Sequence, residues 1–185
     1  MHFELETALK ATLAVRMLYL KPIHTSSYDL ALLQRLLEQA PRYAQIATLK
    51  PVSPSAAADI LAALPPGKTY RDKFVLGVFN DYKLVGCIDL IRGYPSESVA
   101  YVGLLLIAEP YEGSGFGAQA FERVFDVVAS WPTCTAIKIG VLANNEKAVR
   151  FWSKLGFAPT GESKPYQCGR VHTEVLMYQR PLAAA

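Results

Sequence analysis

Leu105-Leu106-Ile107-Ala108-Glu109-Pro110-Tyr111-Glu112-Gly113-Ser114-Gly115-Phe116-Gly117-Ala118 is the stretch on which the reading turns. An apolar run ends at Ala108, a short loop follows, and three alternate glycines lead into a helical pattern. Glycine reaches backbone angles closed to other residues and lets a ligand approach the main chain closely. Successive amides at a helix start form an anion nest, reinforced by the helix dipole. Such a turn suits a phosphate or pyrophosphate. A blander reading, in which the glycines only shape a tight turn, stays open on this segment alone.

Two nucleotide motifs fail here. A Walker loop ends in Gly-Lys-Ser/Thr, and Phe116-Gly117-Ala118 stands in that place. The dinucleotide fingerprint has the spacing GxGxxG and an acid closing the next strand. This chain has GxGxG, and its next strand ends at Ala143-Asn144-Asn145. NAD and FAD are therefore disfavoured.

Working outward, Ala100 to Ala108 reads as a strand apolar on both faces, hence central in a sheet. Upstream, Phe74 to Phe79 and Lys83 to Ile91 flank Asn80-Asp81-Tyr82, a hairpin signal. Leu18 to Ile23 reads as a first strand. Asp29 opens a helical pattern of Leu30, Leu33, Leu36 and Leu37 that stops before Pro41. Ser53-Pro54 caps a second helix, Ser55 to Leu64, which Pro65-Pro66-Gly67 breaks. Downstream, Gly115 to Ala129 forms a helix with Phe121, Val124, Phe125 and Val128 on one face. Ala136 to Leu142 is a buried strand, and Glu146 to Leu155 a helix closed by Gly156. Phe157 to Gln179 reads as two strands joined around Cys168-Gly169. The order is strand, two helices, three strands, helix, strand, helix, two strands. That predicts one α/β domain with a mixed sheet and a parallel crossover.

Composition bounds the rest. Of 185 residues, 51% are hydrophobic and 19% charged, the balance of a globular domain. A net charge of +3 and a pI near 8.7 admit an anionic ligand and give no case for nucleic acid. Cys87, Cys134 and Cys168 are odd in number and far apart, and His2, His24 and His172 make no ligand-spaced partners, so no metal site or disulfide framework is expected. They read as free thiols in a reducing compartment. The longest apolar run, Val102 to Ala108, is far short of a membrane span. Met1 to Glu6 carries two acids and no basic region, unlike a signal peptide. A cytoplasmic protein is expected. Leu5, Leu9 and Leu13 suggest a short amphipathic helix within residues 1–17.

A second segment carries more chemistry: Asn144-Asn145-Glu146-Lys147-Ala148-Val149-Arg150-Phe151-Trp152-Ser153-Lys154-Leu155-Gly156-Phe157. It begins with an N-capping amide and ends in Gly-Phe. Together with the glycine turn, it resembles the GNAT superfamily of acyl-CoA N-acyltransferases. Their phosphate loop, Gln/Arg-x-x-Gly-x-Gly/Ala, is matched by Glu112 to Gly117. Their later motif, Asn-x-x-Ala-x-x-aromatic-aromatic-x-Lys-x-Gly-Phe, is matched from Asn145 to Phe157. The resemblance spans residues 18–181, leaving 1–17 as an extension. It implies a GNAT-like fold, a mostly antiparallel twisted sheet with splayed central parallel strands.

The resemblance also implies acetyl-CoA as cosubstrate and direct attack of a neutral amine on the thioester. Pantetheine would lie along Ile107, Ala108 and Glu109 like an added strand. Amides of Glu112, Gly113, Ser114, Gly115, Phe116, Gly117 and Ala118 would hold the pyrophosphate, and Asn145, Ala148 and Trp152 would face the arm and the sulfur. The Ile107 amide would stabilise the oxyanion. Two positions depart from the family. Glu112 stands where Gln or Arg is usual, so its main-chain amide rather than its carboxylate should serve. Trp152 replaces the common tyrosine, and indole donates a hydrogen bond without being a proton source.

Tyr101 occupies roughly the strand position of a glutamate base in histone acetyltransferases, against a packing role. Asp89, Glu109 and His172 are candidate bases by placement alone. The acceptor walls are expected from Arg42, Tyr43, Tyr94, Tyr101, Tyr166 and His172. Aromatics with few acids suit a small or moderately apolar amine, or a peptide N-terminus. Neither nucleic acid nor membrane is expected as partner, and a homodimer is left open. The alternatives are a non-catalytic acyl-CoA-binding module and a protein that binds a different nucleotide.

Overall fold

The computed structural model describes residues 18–182, so the helix expected within residues 1–17 lies outside the described residues. Strand β1 (Leu18–Pro22) is followed by helix α1 (Ser27–Glu38), helix α2 (Pro41–Thr48) and helix α3 (Ala56–Ala62). The hairpin β2 (Lys73–Asn80) and β3 (Lys83–Arg92) leads to β4 (Val99–Ile107). A 3-10 turn (Glu109–Tyr111) precedes helix α4 (Phe116–Ala129). Then come β5 (Ala136–Leu142), helix α5 (Glu146–Lys154), β6 (Ala158–Cys168) and β7 (Val171–Pro181).

One element corrects the sequence reading: three helices, not two, separate the first strands. Pro41 ends nothing more than the chain before it. At the first helical position its missing N–H costs nothing and its fixed φ suits a helix, so it starts α2. The Ser26 hydroxyl caps α1 by accepting from the Asp29 N–H at 3.1 Å, so that helix begins earlier than Asp29. Helix α3 is shorter at both ends than Ser55 to Leu64.

The seven strands form one sheet in the order β1-β2-β3-β4-β5-β7-β6. Every neighbour pairs antiparallel except β4 with β5. Helices α4 and α5 cover one face around Phe121, Val124 and Trp152. Helices α1 and α3 cover the other around Leu33, Leu36 and Leu61. Phe121 is 0% exposed, and truncation to alanine would cost about 3–5 kcal/mol.

Two irregularities in β4 shape the centre. Asp89 pairs with Leu104 and Leu90 with Val102, so Gly103 is an extra, unpaired residue: a β-bulge. It reverses the facing of everything after it. Ala100 and Val102 lie in the α4 core, and so do Leu105 and Ile107, while Leu104 and Leu106 turn to the α1 core. The parallel pairing of β4 with β5 then stops at Val102↔Ile139. Beyond that point β4 stays on β3 (Gly86↔Ile107), and β5 stays on β7 (Leu142↔Val175). The sheet opens into a V.

Candidate functional site

The V leaves specific backbone groups without a strand partner. The Ala108 N–H donates to the Val85 carbonyl at 2.9 Å, so residue 108 points its polar groups toward β3. Groups on a strand alternate sides, so Leu106 also faces β3, while Leu105 and Ile107 turn theirs into the V. The Ile107 amide singled out from the sequence is thus one of two that open toward the gap.

Ile107 leads directly to the glycine turn. Gly113 and Gly115 hold φ of 77° and 78°, the left-handed region that a side chain resists. Gly115 is the N-cap of α4, and no side chain caps that helix. Its first-turn N–H groups are therefore available to an anion, in the field of the helix dipole. Gly117 has a different reason. A Cβ there would stand 3.3 Å from the Phe151 ring and 3.6 Å from Ile107 Cγ1. Helices α4 and α5 and strand β4 converge here, and a side chain would press on the Phe151 ring.

A first cavity of about 500 Å³ runs from this turn along Leu105, Leu106 and Ile107. Of the residues expected to hold the cosubstrate, Ile107, Glu109, Glu112, Gly113, Gly115, Phe116, Gly117, Ala118, Asn145, Ala148 and Trp152 line it. Ala108 does not; it is fully buried in the α1 core. Ser114 is an exposed loop residue outside the lining. The Asn145 carbonyl oxygen caps α5 by accepting from the Ala148 N–H at 3.1 Å, which leaves its amide nitrogen as the donor available to a ligand. Trp152, only 7% exposed, packs edge-on against Phe121, Phe151 and Phe157 at 5.0–5.4 Å. The indole is fixed as a wall.

The anomalous acid is neutralised. One oxygen of Glu112 accepts from Arg42 at 2.8 Å and from Lys147 at 2.6 Å. Arg42 also binds Glu109, through its main-chain N–H at 2.8 Å and its Nε at 3.1 Å. That main-chain donor and then the guanidinium hold the Glu109 carboxyl below the usual range, so it is a poor proton acceptor. These contacts strap α2 across the cavity mouth, aided by Asn144 Nδ2 donating to the Ile46 carbonyl at 3.3 Å and Tyr166 donating to the Ala47 carbonyl at 3.1 Å. An eight-residue helix needs such ties. The sequence reading places Arg42 and Tyr43 on the acceptor side, whereas both line the first cavity. Tyr43 keeps 41% of its surface open to the cleft, yet loss of water around the phenol, then Tyr166, Cys87 and Tyr101, push its pKa up to about 12.

A second cavity, about 690 Å³, lies on the α3 face of the sheet. Tyr94, Tyr101 and Asp89 line it with Lys138, Glu162 and Lys164. Tyr101 packs edge-on against Tyr94 at 5.6 Å, and burial raises its pKa, so it stays a protonated phenol. Asp89 Oδ1 accepts from Lys73 at 2.7 Å. His172 is exposed, near the end of the β6–β7 hairpin, and lines neither cavity.

Comparison with known proteins agrees with this arrangement. An uncharacterized N-acetyltransferase of Mycobacterium tuberculosis (strain H37Rv) is 28% identical over 108 residues, 58% of this chain and 67% of its own length. The crystal structure of an acetyltransferase from Thermus thermophilus superposes with a TM-score of 0.68 at 26% identity, covering 89% of this chain and 97% of that one. An acetyl transferase of Salmonella typhimurium, described as modifying the N-terminal serine of ribosomal protein L7/L12, shares the fold with a TM-score of 0.71 at 15% identity, over 89% of this chain and 94% of that one. The family model for the acetyltransferase (GNAT) family matches residues 53–157, more than half of this chain, from the turn before α3 to the Gly-Phe after α5. The chain therefore belongs to the GNAT acetyltransferase family and is an acyl-CoA-dependent N-acetyltransferase.

Proposed function

We propose that the protein transfers an acetyl group from acetyl-CoA to the primary amine of a small molecule or peptide by direct attack, within a domain spanning residues 18–181. The observation that carries this reading is the V, whose open Leu105 and Ile107 groups run into an uncapped helix start. Pantetheine amides add to β4 there as a further strand, and the pyrophosphate meets the amides of Gly113 to Ala118. Ala108 contributes through its position alone, since its own N–H is taken by Val85. The donors aimed into the V stabilise charge developing on the thioester oxygen. Trp152 shapes the channel around the sulfur. Most of the rate enhancement then comes from holding amine and thioester in register.

The acceptor reaches the same gap from the second cavity. A cytoplasmic setting suits the free thiols Cys87, Cys134 and Cys168, and among the described residues no helix is long and apolar enough to cross a membrane. Isothermal calorimetry with acetyl-CoA against NAD, followed by CoA release on a panel of amines, tests the reading. Micromolar binding of acetyl-CoA, about −8 kcal/mol, is expected. Preference for NAD, or binding with no CoA release on any amine, refutes it.

A further inference from the structure

The second cavity is asymmetric in charge. At its β3 end stands Asp89, and at its β5–β6 end stand Lys138 and Lys164 with Glu162. Lys138 and Glu162 are paired at 2.7 Å. Lys164 enters no ion pair among the described residues, so that end carries a net positive charge. Tyr94 and Tyr101 lie between the ends.

Asp89 is held in an unusual way. The side chains of Asp89 and Lys73 are 15% and 4% exposed, a largely covered pair. Lys73 occupies only Oδ1. The other oxygen, Oδ2, lies against the bulge, 3.2 Å from where a Cβ on Gly103 would stand. Gly103 is the first residue past the last parallel pair, Val102↔Ile139, and so marks the base of the V. It lies two residues, about 7 Å, from Leu105 and its open amide. The missing side chain at Gly103 therefore leaves one oxygen of a largely covered carboxylate open at the point where the second cavity meets the gap.

We propose that Asp89 Oδ2 receives the acceptor's ammonium and takes its proton, and that Lys164 with Lys138 receives a carboxylate on the same acceptor, so that the substrate is zwitterionic and amino-acid-like. This rests on the acetyl transfer proposed above and deepens it. First, an N–H bond of the ammonium breaks and the proton passes to Oδ2, leaving a neutral amine. The nitrogen lone pair then forms the C–N bond as the C–S bond breaks, and the sulfur leaves with its electron pair. The second nitrogen proton goes to that thiolate, and Asp89 returns its own to water. Burial raises the Asp89 pKa against the opposing pull of Lys73, which makes it a stronger base than an exposed aspartate. The other titratable group beside it on β3, Cys87, is a buried thiol pushed up to about 12 and stays neutral. Sequence placement names Asp89 only as one of three candidate bases; the β2–β3 register that brings Lys73 to Oδ1 and the bulge that brings Gly103 to Oδ2 distinguish it.

The test uses free amino acids, their C-terminal amides and matched monoamines as acceptors, with acetyl-CoA affinity measured in parallel. Asp89→Asn should lower kcat for amino acids about 100-fold or more, leave acetyl-CoA binding within about twofold, and abolish the acidic limb of the kcat/KM profile. Because that variant leaves Lys73 buried without a counter-charge, Gly103→Ala provides a second route: it keeps the pair, covers Oδ2, and should cost tenfold or more in kcat. Lys164→Gln should raise KM about tenfold for free amino acids and leave the amides unchanged. Full kcat in folded Asp89→Asn or Gly103→Ala, or amides and monoamines outperforming free amino acids, overturns the inference while acetyl transfer stands. Failure to bind acetyl-CoA would instead overturn the proposed function beneath it.

Discussion

Replacing Gly117 by valine separates a phosphate cradle from a tight turn. The Cβ alone would meet Phe151 at 3.3 Å and Ile107 at 3.6 Å, and the two γ-methyls would reach further. Overpacking of this kind costs about 1–3 kcal/mol, which in a domain of this size lowers Tm by roughly 2–4 °C per kcal/mol. The fold should survive. Binding should not, because the added methyls stand between the α4 amides and the β4 edge along which the ligand runs. A loss of at least about 1.4 kcal/mol, or tenfold in Kd for acetyl-CoA, is expected by calorimetry. Gly67→Ala is the control: φ is 78° with nothing within 4 Å of the new Cβ, so it carries only backbone strain, about 1–2 kcal/mol. It should lower Tm comparably and leave Kd alone. A folded Gly117→Val protein with unchanged Kd would refute the assignment of the turn to the pyrophosphate.

Trp152→Phe should retain most turnover, because the ring is a wall, whereas Trp152→Ala should mainly raise the acetyl-CoA KM and destabilise by about 3–5 kcal/mol; loss of kcat in Trp152→Phe with intact binding would contradict this. Glu112→Gln removes the carboxylate that occupies Arg42 and Lys147. Acetyl-CoA should then bind severalfold tighter at low ionic strength, a gain that fades above about 0.5 M salt, and weaker binding would show that Glu112 serves mainly to order the loop. Tyr43, with its folded pKa raised above the unfolded value, holds its proton longer when folded. Its contribution to stability is therefore complete below about pH 10 and lost as pH rises toward about 12. Urea unfolding of Tyr43→Phe should lose less stability across that window than the parent, and equal losses would exclude the phenol. The second cavity offers an incoming cation a single open carboxylate oxygen, Asp89 Oδ2, and sets Lys164 against further positive charge, so spermine and kanamycin should be poor acceptors; either one exceeding every monoamine and peptide tenfold in kcat/KM would remove this reading.

What the sequence discloses is what local spacing encodes. Gly113, Gly115 and Gly117 announce a cradle because their spacing and the apolar run before them are contiguous. Asn145 through Phe157 does the same for the α5 wall, down to the capping bond from Asn145 to Ala148. Helix α2 escapes the sequence reading because Pro41 reads there only as a stop, although Pro is equally a start signal at the first helical position. Arg42 reaches Glu112 across 70 residues, and Lys147 reaches it across 35. No periodicity carries such a pairing. Tyr101 sits on the central strand as its sequence context predicts, but strand placement does not say which cavity a ring enters; its alternation with Ala100 and Val102, both in the α4 core, does.

The bulge at Gly103 joins the two halves of the site. Alternation resumes past it, with Leu104 and Leu106 toward α1 and Leu105 and Ile107 toward α4. The two side chains toward α4 line the first cavity beside Phe116 and Trp152. Strand β4 thus offers Tyr101 and Gly103 to the second cavity, and Leu105 and Ile107 to the first. Gly103 adds to the second cavity a position with no side chain beside Asp89 Oδ2, while the end of β4–β5 pairing at Val102 opens the gap between the cavities. Deleting Gly103 removes the bulge yet leaves Leu105 and Ile107 toward α4, because Val102, Leu104 and Leu105 then alternate directly. Both the deletion and Gly103→Ala should therefore lower turnover and largely spare acetyl-CoA affinity. Loss of acetyl-CoA binding in a folded deletion variant, with Gly103→Ala unaffected, would show that the bulge itself shapes the first cavity.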